Sequence, residues 1–193
     1  MRSDLHRWLM NDGVRFFKNL GLQPGDRVLD FGCGDGVYTI PASKIVGKDG
    51  VVYALDRDLL SLKNLSEKAS AMGIRNIIPV QTLNGLKRAL NGHFLDAVLF
   101  IDVIHSYYFT ENERARLLTS VNPVVKTNGF ISIFPKHMEH HEIRSMSTTL
   151  TQLGFFFEKE QSSNLMHDGS STYGFIMNFR KRGDVSDAEN KTL

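Results

Sequence analysis

The segment Val28-Leu29-Asp30-Phe31-Gly32-Cys33-Gly34-Asp35-Gly36 constrains the fold more than any other part of the chain. An apolar run meets an acid, three glycines follow at alternate positions, and a helical pattern begins after them. A strand that runs into such a loop presents bare main chain at its carboxyl end, where a ligand can approach closely. The helix beyond is expected to offer free N–H groups and the positive end of its dipole. The pattern predicts a nucleotide or nucleoside cradle.

The flanking elements follow from periodicity and punctuation. Leu5, Trp8, Leu9, Phe16 and Leu20 share a helical face, which predicts an amphipathic helix within residues 1–23. Pro24-Gly25-Asp26 is a turn, and Arg27–Phe31 is the first strand. Residues 37–46 read as a helix with Pro41 in or near its first turn. Val51–Leu55 is a second strand ending at Asp56. Asp58 then caps a helix whose apolar stripe is Leu59, Leu62, Leu65, Ala69 and Met72, with Gly73 at the C′ position. Residues 76–80 form a short third strand, and residues 82–92 read as either a weak helix or a loop.

Leu95–Ile101 is apolar on both faces apart from Asp96, as a central strand would be. Thr110 and Glu113 have capping-box spacing. Residues 130–134 make a fifth strand and 139–153 a helix stopped by Gly154. Residues 155–160 and 173–180 are two strands joined by a connection without helical pattern, so they should be antiparallel neighbours, with Phe155, Phe156 and Phe157 in the sheet core. The order predicts an α/β fold: a Rossmann-like, mostly parallel seven-stranded sheet flanked by helices, with an antiparallel C-terminal hairpin strand. One domain is expected over residues 1–182, followed by a polar, disordered tail at 183–193.

Charge excludes some partners. With 23 basic and 21 acidic residues the net charge is +2, which gives no electrostatic footprint for nucleic acid. No apolar run approaches the ~20 residues of a membrane helix, and the first residues carry no signal-peptide core. A single cysteine, Cys33, cannot form an internal disulfide, so a cytoplasmic location is expected. The sequence does not choose between monomer and homodimer.

Four stretches resemble the class I S-adenosylmethionine-dependent methyltransferases, and most of all the small ubiquinone/menaquinone-methyltransferase-like family. They are Val28 to Gly36, Val52-Tyr53-Ala54-Leu55-Asp56, Leu95 to His105, and Asn128-Gly129-Phe130-Ile131-Ser132-Ile133. The resemblance implies a transferase that binds S-adenosyl-L-methionine and releases S-adenosyl-L-homocysteine. It implies that the loop around Gly32, Cys33 and Gly34 meets the methionine part of this donor, that Asp30 lies near its ammonium, and that Asp56 accepts bonds from the ribose hydroxyls. Arg57, Thr82 and Leu83 fall where the adenine would lie. The acid that family members often carry after the third strand is missing from Val80-Gln81-Thr82-Leu83-Asn84. A dinucleotide fingerprint would need a third glycine where Val37 stands, which disfavours a nicotinamide-dependent oxidoreductase. A non-catalytic nucleoside-binding or protein-interaction module on the same fold is the alternative.

Ligands of open α/β sheets bind beyond the carboxyl ends of the strands. That rule sets Asp102, His105, Tyr107 and Tyr108 beside the donor's reactive end, with Asp102 as a donor contact and His105 as the candidate base. The acceptor is expected to be a small organic molecule, in a pocket to which Trp8, Tyr107, Tyr108, Phe109 and Met138 could contribute. His137, His140 and His141 follow the fifth strand together with Glu139 and Glu142. If helical, His137 and His141 share a face, but no third well-spaced ligand accompanies them, and no metal site is expected.

Overall fold

The computed structural model describes residues 2–183. Residues 184–193, nearly all of the tail expected to be disordered, lie outside the described residues. Five parallel strands, β1 (Arg27–Phe31), β2 (Val51–Leu55), β3 (Ile77–Val80), β4 (Leu95–Ile101) and β5 (Val125–Phe134), are joined by a long hairpin of β6 (Phe155–His167) and β7 (Ser170–Lys181). The sheet order is β3-β2-β1-β4-β5-β7-β6, so β7 is inserted antiparallel between β5 and β6. β4 is central and wholly buried except at Asp96, whose carboxylate accepts from the Arg27 amide (2.9 Å) and the Lys126 ammonium (2.7 Å).

Strand alternation assigns the two faces. Leu29, Tyr53, Val98, Phe100 and Ile131 pack under α5 (Leu83–Leu90), α6 (Glu111–Val121) and α7 (His140–Gln152). Val28, Val52, Ala97 and Leu99 pack under the N-terminal helices and α3 (Thr39–Val46), while Ala54 meets α4 (Leu59–Ala71). The N-terminal helix is continuous but not uniform: α1 (Arg2–Arg7) passes through a π-helical turn at Trp8–Asp12 into α2 (Gly13–Leu20).

The caps behave as their residue types require. Asp58 accepts from the Leu60 and Ser61 amides, Thr110 and Glu113 form the capping box, and Gly73 takes φ +70° after α4. The ambiguous stretch is a helix, because Thr82 caps it through the Gly85 amide and Asn91 ends it with φ +46°.

Four expectations need correction. α3 begins at Thr39, two residues late, because turns occupy the end of the glycine loop. β5 begins at Val125: the polar Lys126-Thr127-Asn128 run reads as a turn but pairs through an irregularity opposite Asp96. The connection between the last two strands is itself strand. β6 and β7 run on to a two-residue turn, Asp168-Gly169, in which both residues have positive φ. That is the Asp-Gly signature of a type I′ hairpin. Of the three phenylalanines only Phe155 is core; Phe156 and Phe157 are 38% and 51% exposed on the edge strand.

Polar contacts fasten the hairpin to distant parts of the chain. Buried Asn178 accepts from the Ser132 hydroxyl (2.6 Å) and donates to the Leu20 carbonyl (3.2 Å). The Tyr38 hydroxyl donates to the Met166 carbonyl (2.7 Å) and accepts from its amide (3.0 Å).

Candidate active site

A cavity of about 700 Å³ opens at the carboxyl ends of β1, β2 and β4, where the strand order reverses. Gly32, Gly34, Asp56, Arg57, Thr82, Leu83 and Asp102 line it, so seven of the residues named above converge on one space. Tyr108 and Phe109 line it as well. Phe31, Gln81, Val103 and Glu113 complete much of the wall and were not singled out from the sequence. Phe31 was legible as the residue that ends β1. Glu113 was absorbed into its capping role.

Four amides of the glycine loop are engaged within the chain. The Gly32 and Cys33 N–H groups both donate to the Leu55 carbonyl (2.7 and 3.1 Å), and Gly36 N–H donates to the Cys33 carbonyl (3.0 Å). Gly34 N–H donates to Asp56 Oδ2 (2.9 Å). The loop's donors are spent on the chain itself, so it is a shaped wall rather than an anion cradle. Gly34 has φ +48°, and a Cβ there would meet nothing within 4 Å, which leaves open space where a side chain would stand.

Among the charged groups that line the cavity, carboxylates outnumber cations. Asp56, Asp102 and Glu113 face it with one guanidinium, Arg57. Asp56 is fixed in orientation, since Oδ2 holds Gly34 N–H and Oδ1 accepts from the Asp58 amide (3.0 Å). Each oxygen keeps one further lone pair for a donor. Such a wall suits a cationic, hydroxyl-bearing ligand and disfavours a pyrophosphate.

Three candidates do not line the cavity. Asp30 is 2% exposed and accepts from the Thr39 hydroxyl (2.6 Å) behind the loop. Burial raises its pKa from 3.8 to about 6, against the Thr39 hydrogen bond and with help from the Asp56 charge. Cys33 is buried among Ile40, Ala54, Leu62 and Leu65. Burial, then the Asp30 and Asp56 charges, pushes its thiol above the ordinary range, so it is a packing thiol and no nucleophile. His105 is 5% exposed, and its Nδ1 has no hydrogen-bond partner. Burial lowers its pKa more than neighbouring Asp102 raises it. Trp8 is likewise core, with its indole N–H on the Val37 carbonyl (2.9 Å).

Asp30 gives a prediction with a defined sign. A carboxyl whose folded pKa lies above its unfolded value stabilises the protein below about pH 4 and costs stability as pH rises through about 6. Asp30→Asn is therefore expected to be up to about 3 kcal/mol more stable than the parent at pH 7. The difference should vanish near pH 4. Urea titrations at the two pH values measure it, and parallel pH profiles for the two proteins would contradict it.

The histidines are grouped by the hairpin, not by a helix. α7 starts at His140, so His137 lies before it and does not share a helical face with His141. His137 instead meets His167 of β6, whose Nδ1 lies 2.5 Å from Asp102 Oδ2.

Comparison with known proteins agrees with this architecture. Residues 28–129, more than half of the chain, match the family described as a methyltransferase domain. The aklanonic acid methyltransferase of Streptomyces sp. (strain C5) is 36% identical over 73 residues, 34% of this chain and 33% of that protein. The ubiquinone/menaquinone biosynthesis C-methyltransferase of Wigglesworthia glossinidia brevipalpis is 31% identical over 142 residues, 68% of this chain and 54% of that protein. The chain thus spans between a third and about half of the length of these curated relatives. Among solved structures, magnesium protoporphyrin IX methyltransferase from Synechocystis PCC 6803 with bound S-adenosylmethionine superposes with a TM-score of 0.65 at 20% identity, over 92% of this chain and 80% of that one. By its matched domain, its sheet order and the position of its cavity, the chain belongs to the class I S-adenosylmethionine-dependent methyltransferase family.

Proposed function

We propose that the protein binds S-adenosylmethionine in the cavity at the ends of β1, β2 and β4 and directs its methyl group to a small-molecule acceptor. The observation that carries this reading is the pair of carboxylates, Asp56 and Asp102, set on two strand ends around the cavity, with Asp56 held in a fixed orientation. A sulfonium nucleoside is cationic and carries a vicinal diol. A volume near 700 Å³ lies within the range of about 300–1,000 Å³ usual for small-molecule sites.

Asp56 holds the ribose hydroxyls with its two remaining lone pairs. The bare backbone at Gly32 and Gly34 admits the amino-acid portion, and Asp30 supplies negative charge from behind the loop. Arg57, Thr82 and Leu83 flank the base, which compensates for the missing acid after β3. The bound donor supplies an electrophilic methyl group on sulfur. The chain's own task is to orient that group toward the acceptor and keep water out. Phe31, Tyr108 and Phe109 are suited to that exclusion. His105, buried behind Asp102 and Tyr108, positions these residues rather than meeting the acceptor.

The two curated relatives named above bear the names of small-molecule methyltransferases, and the described residues include no inserted cap over the cavity. Both favour a small organic acceptor. Among the described residues no helix is long and apolar enough to cross a membrane.

Calorimetry with S-adenosylmethionine, S-adenosylhomocysteine and NAD tests the reading. Saturable micromolar binding of the first two, without NAD binding, is expected. Asp56→Ala should weaken donor binding by at least about tenfold, the loss of charge-assisted hydrogen bonds worth ~1.5–3 kcal/mol. Tight NAD binding, or a donor affinity unmoved by Asp56→Ala, would overturn the assignment.

A further inference from the structure

Beside the cavity, residues far apart in sequence bring electron-rich atoms together. One ligand atom from each of Asp102, His137 and His167 lies within 4.8 Å of the others. Asp102 ends β4 with φ +57°, His137 follows β5, and His167 ends β6 at the hairpin turn. Three strands thus deliver one side chain each to a common point. His167 Nδ1 lies 2.5 Å from Asp102 Oδ2. Its Nε2 lies 3.4 Å from His137 Nε2 and 3.2 Å from Asp168 Oδ2.

The other carboxylate oxygen points the same way. Asp102 Oδ1 is buried without a hydrogen-bond partner, 3.7 Å from His137 Nε2 and 3.9 Å from His105 Nε2. A buried carboxylate oxygen left unpaired is costly. Here it is surrounded by imidazole nitrogens at separations longer than hydrogen bonds. A metal ion among these atoms would pair the unpartnered oxygen and take the imidazole nitrogens as ligands.

We propose that Asp102, His137 and His167 form a binding site for a single first-row divalent metal ion of the zinc or iron(II) type, with His105 placed to join them. Two imidazoles and a carboxylate are the donor set of many such centres, and a nitrogen–nitrogen spacing of 3.4 Å fits two ligands at the usual ~2.0–2.1 Å from one ion. Mg²⁺ and Ca²⁺, which take oxygen ligands, are disfavoured. Asp102 belongs to both the cavity wall and this cluster, so an ion here offsets one of the cavity's carboxylates. The test of this site uses no donor, so its failure and that of the donor-binding proposal are distinguishable.

Metal-stripped, tag-free protein titrated with Zn²⁺ tests this without any donor. One equivalent is expected to bind per chain, and Co²⁺ in its place should show the ligand-field bands of a low-coordinate nitrogen–oxygen site. His137→Ala and His167→Asn should each weaken Zn²⁺ binding by more than the about 10–100-fold that loss of an outer-sphere partner costs, and abolish the Co²⁺ bands. His137 is partly exposed at the rim, so its variant is expected to keep the fold, which a thermal melt checks. His140→Ala, on the first turn of α7, should bind like the parent. The proposal fails if the parent takes up well under one equivalent, or if binding survives unchanged in His137→Ala; a proton shared between the rings then accounts for the geometry.

Discussion

Arg114→Met is expected to cost about 3–5 kcal/mol of folding stability, read as a lower urea midpoint at unchanged slope. Arg114 is 4% exposed, and its guanidinium reaches Glu142 at 2.9 Å and the Ile104 carbonyl at 2.7 Å. It joins α6, α7 and the loop after β4 at one buried point. Removing it leaves the Glu142 carboxylate, 5% exposed, without its counter-ion. Burial pushes the Glu142 pKa up, but the Glu139 amide, Arg114 and His141 together hold it below its ordinary value of 4.5. A carboxyl held down in this way contributes stability above about pH 4.5 and loses it as pH falls through the folded pKa. Arg114→Met paired with Glu142→Leu should recover most of the loss, because a buried ion pair replaced whole by apolar groups is often neutral. A double variant no better than the single one would show that the deficit lies in the freed Ile104 carbonyl.

Gly32→Ala carries the second large effect, about 2–4 kcal/mol of stability together with loss of ligand binding in the cavity. The residue has φ +72°, where a side chain costs roughly 1–2 kcal/mol. A Cβ there would also come within 2.4 Å of Val103 Cγ2 and 3.1 Å of Val103 Cβ, and overpacking adds about 1–3 kcal/mol. Val103 is the neighbour of Asp102 and lines the cavity, so the clash moves the wall as well as the loop. Val103→Ala in the same chain removes the contact with Cγ2 and should restore part of the stability. The φ cost stays. Denaturant unfolding and calorimetry with S-adenosylmethionine read the two halves separately. An alanine variant as stable as the parent would mean that the loop can relax away from its left-handed backbone.

These effects are strong where local chemistry dictates local structure, and there the sequence was readable. The β1 loop, the acid at the end of β2, the Asp58 cap and the Thr110–Glu113 box are short-range patterns, and each was found where expected. The C-terminal half was harder. Lys126-Thr127-Asn128 is polar and lies outside the apolar run that marked the strand, yet β5 begins at Val125 through its pairing with Leu95 and crosses an irregularity before Phe130 meets Ala97. The Asp168-Gly169 turn carried a readable dipeptide signal, masked by polar flanks that suggested a loop. With the hairpin misread, His167 had no partner in view, and His137 was weighed only against His141, as a pair that would share a face if helical. The partners of the loop amides were not legible for a related reason: which carbonyl an N–H meets depends on the neighbouring strand end, here Leu55.

The position of β7 has a consequence for biosynthesis. It is the last strand of the sheet to leave the ribosome, yet it is inserted between two strands made earlier. Until it arrives, β5 has an open edge, the Ser132 hydroxyl lacks Asn178, and β6 has no strand to pair with. The nascent chain therefore carries an unfinished sheet edge from the completion of β5 until β7 emerges. Docking of the hairpin, which also brings His167 onto Asp102 across 65 residues of sequence, is the event that ends that exposure.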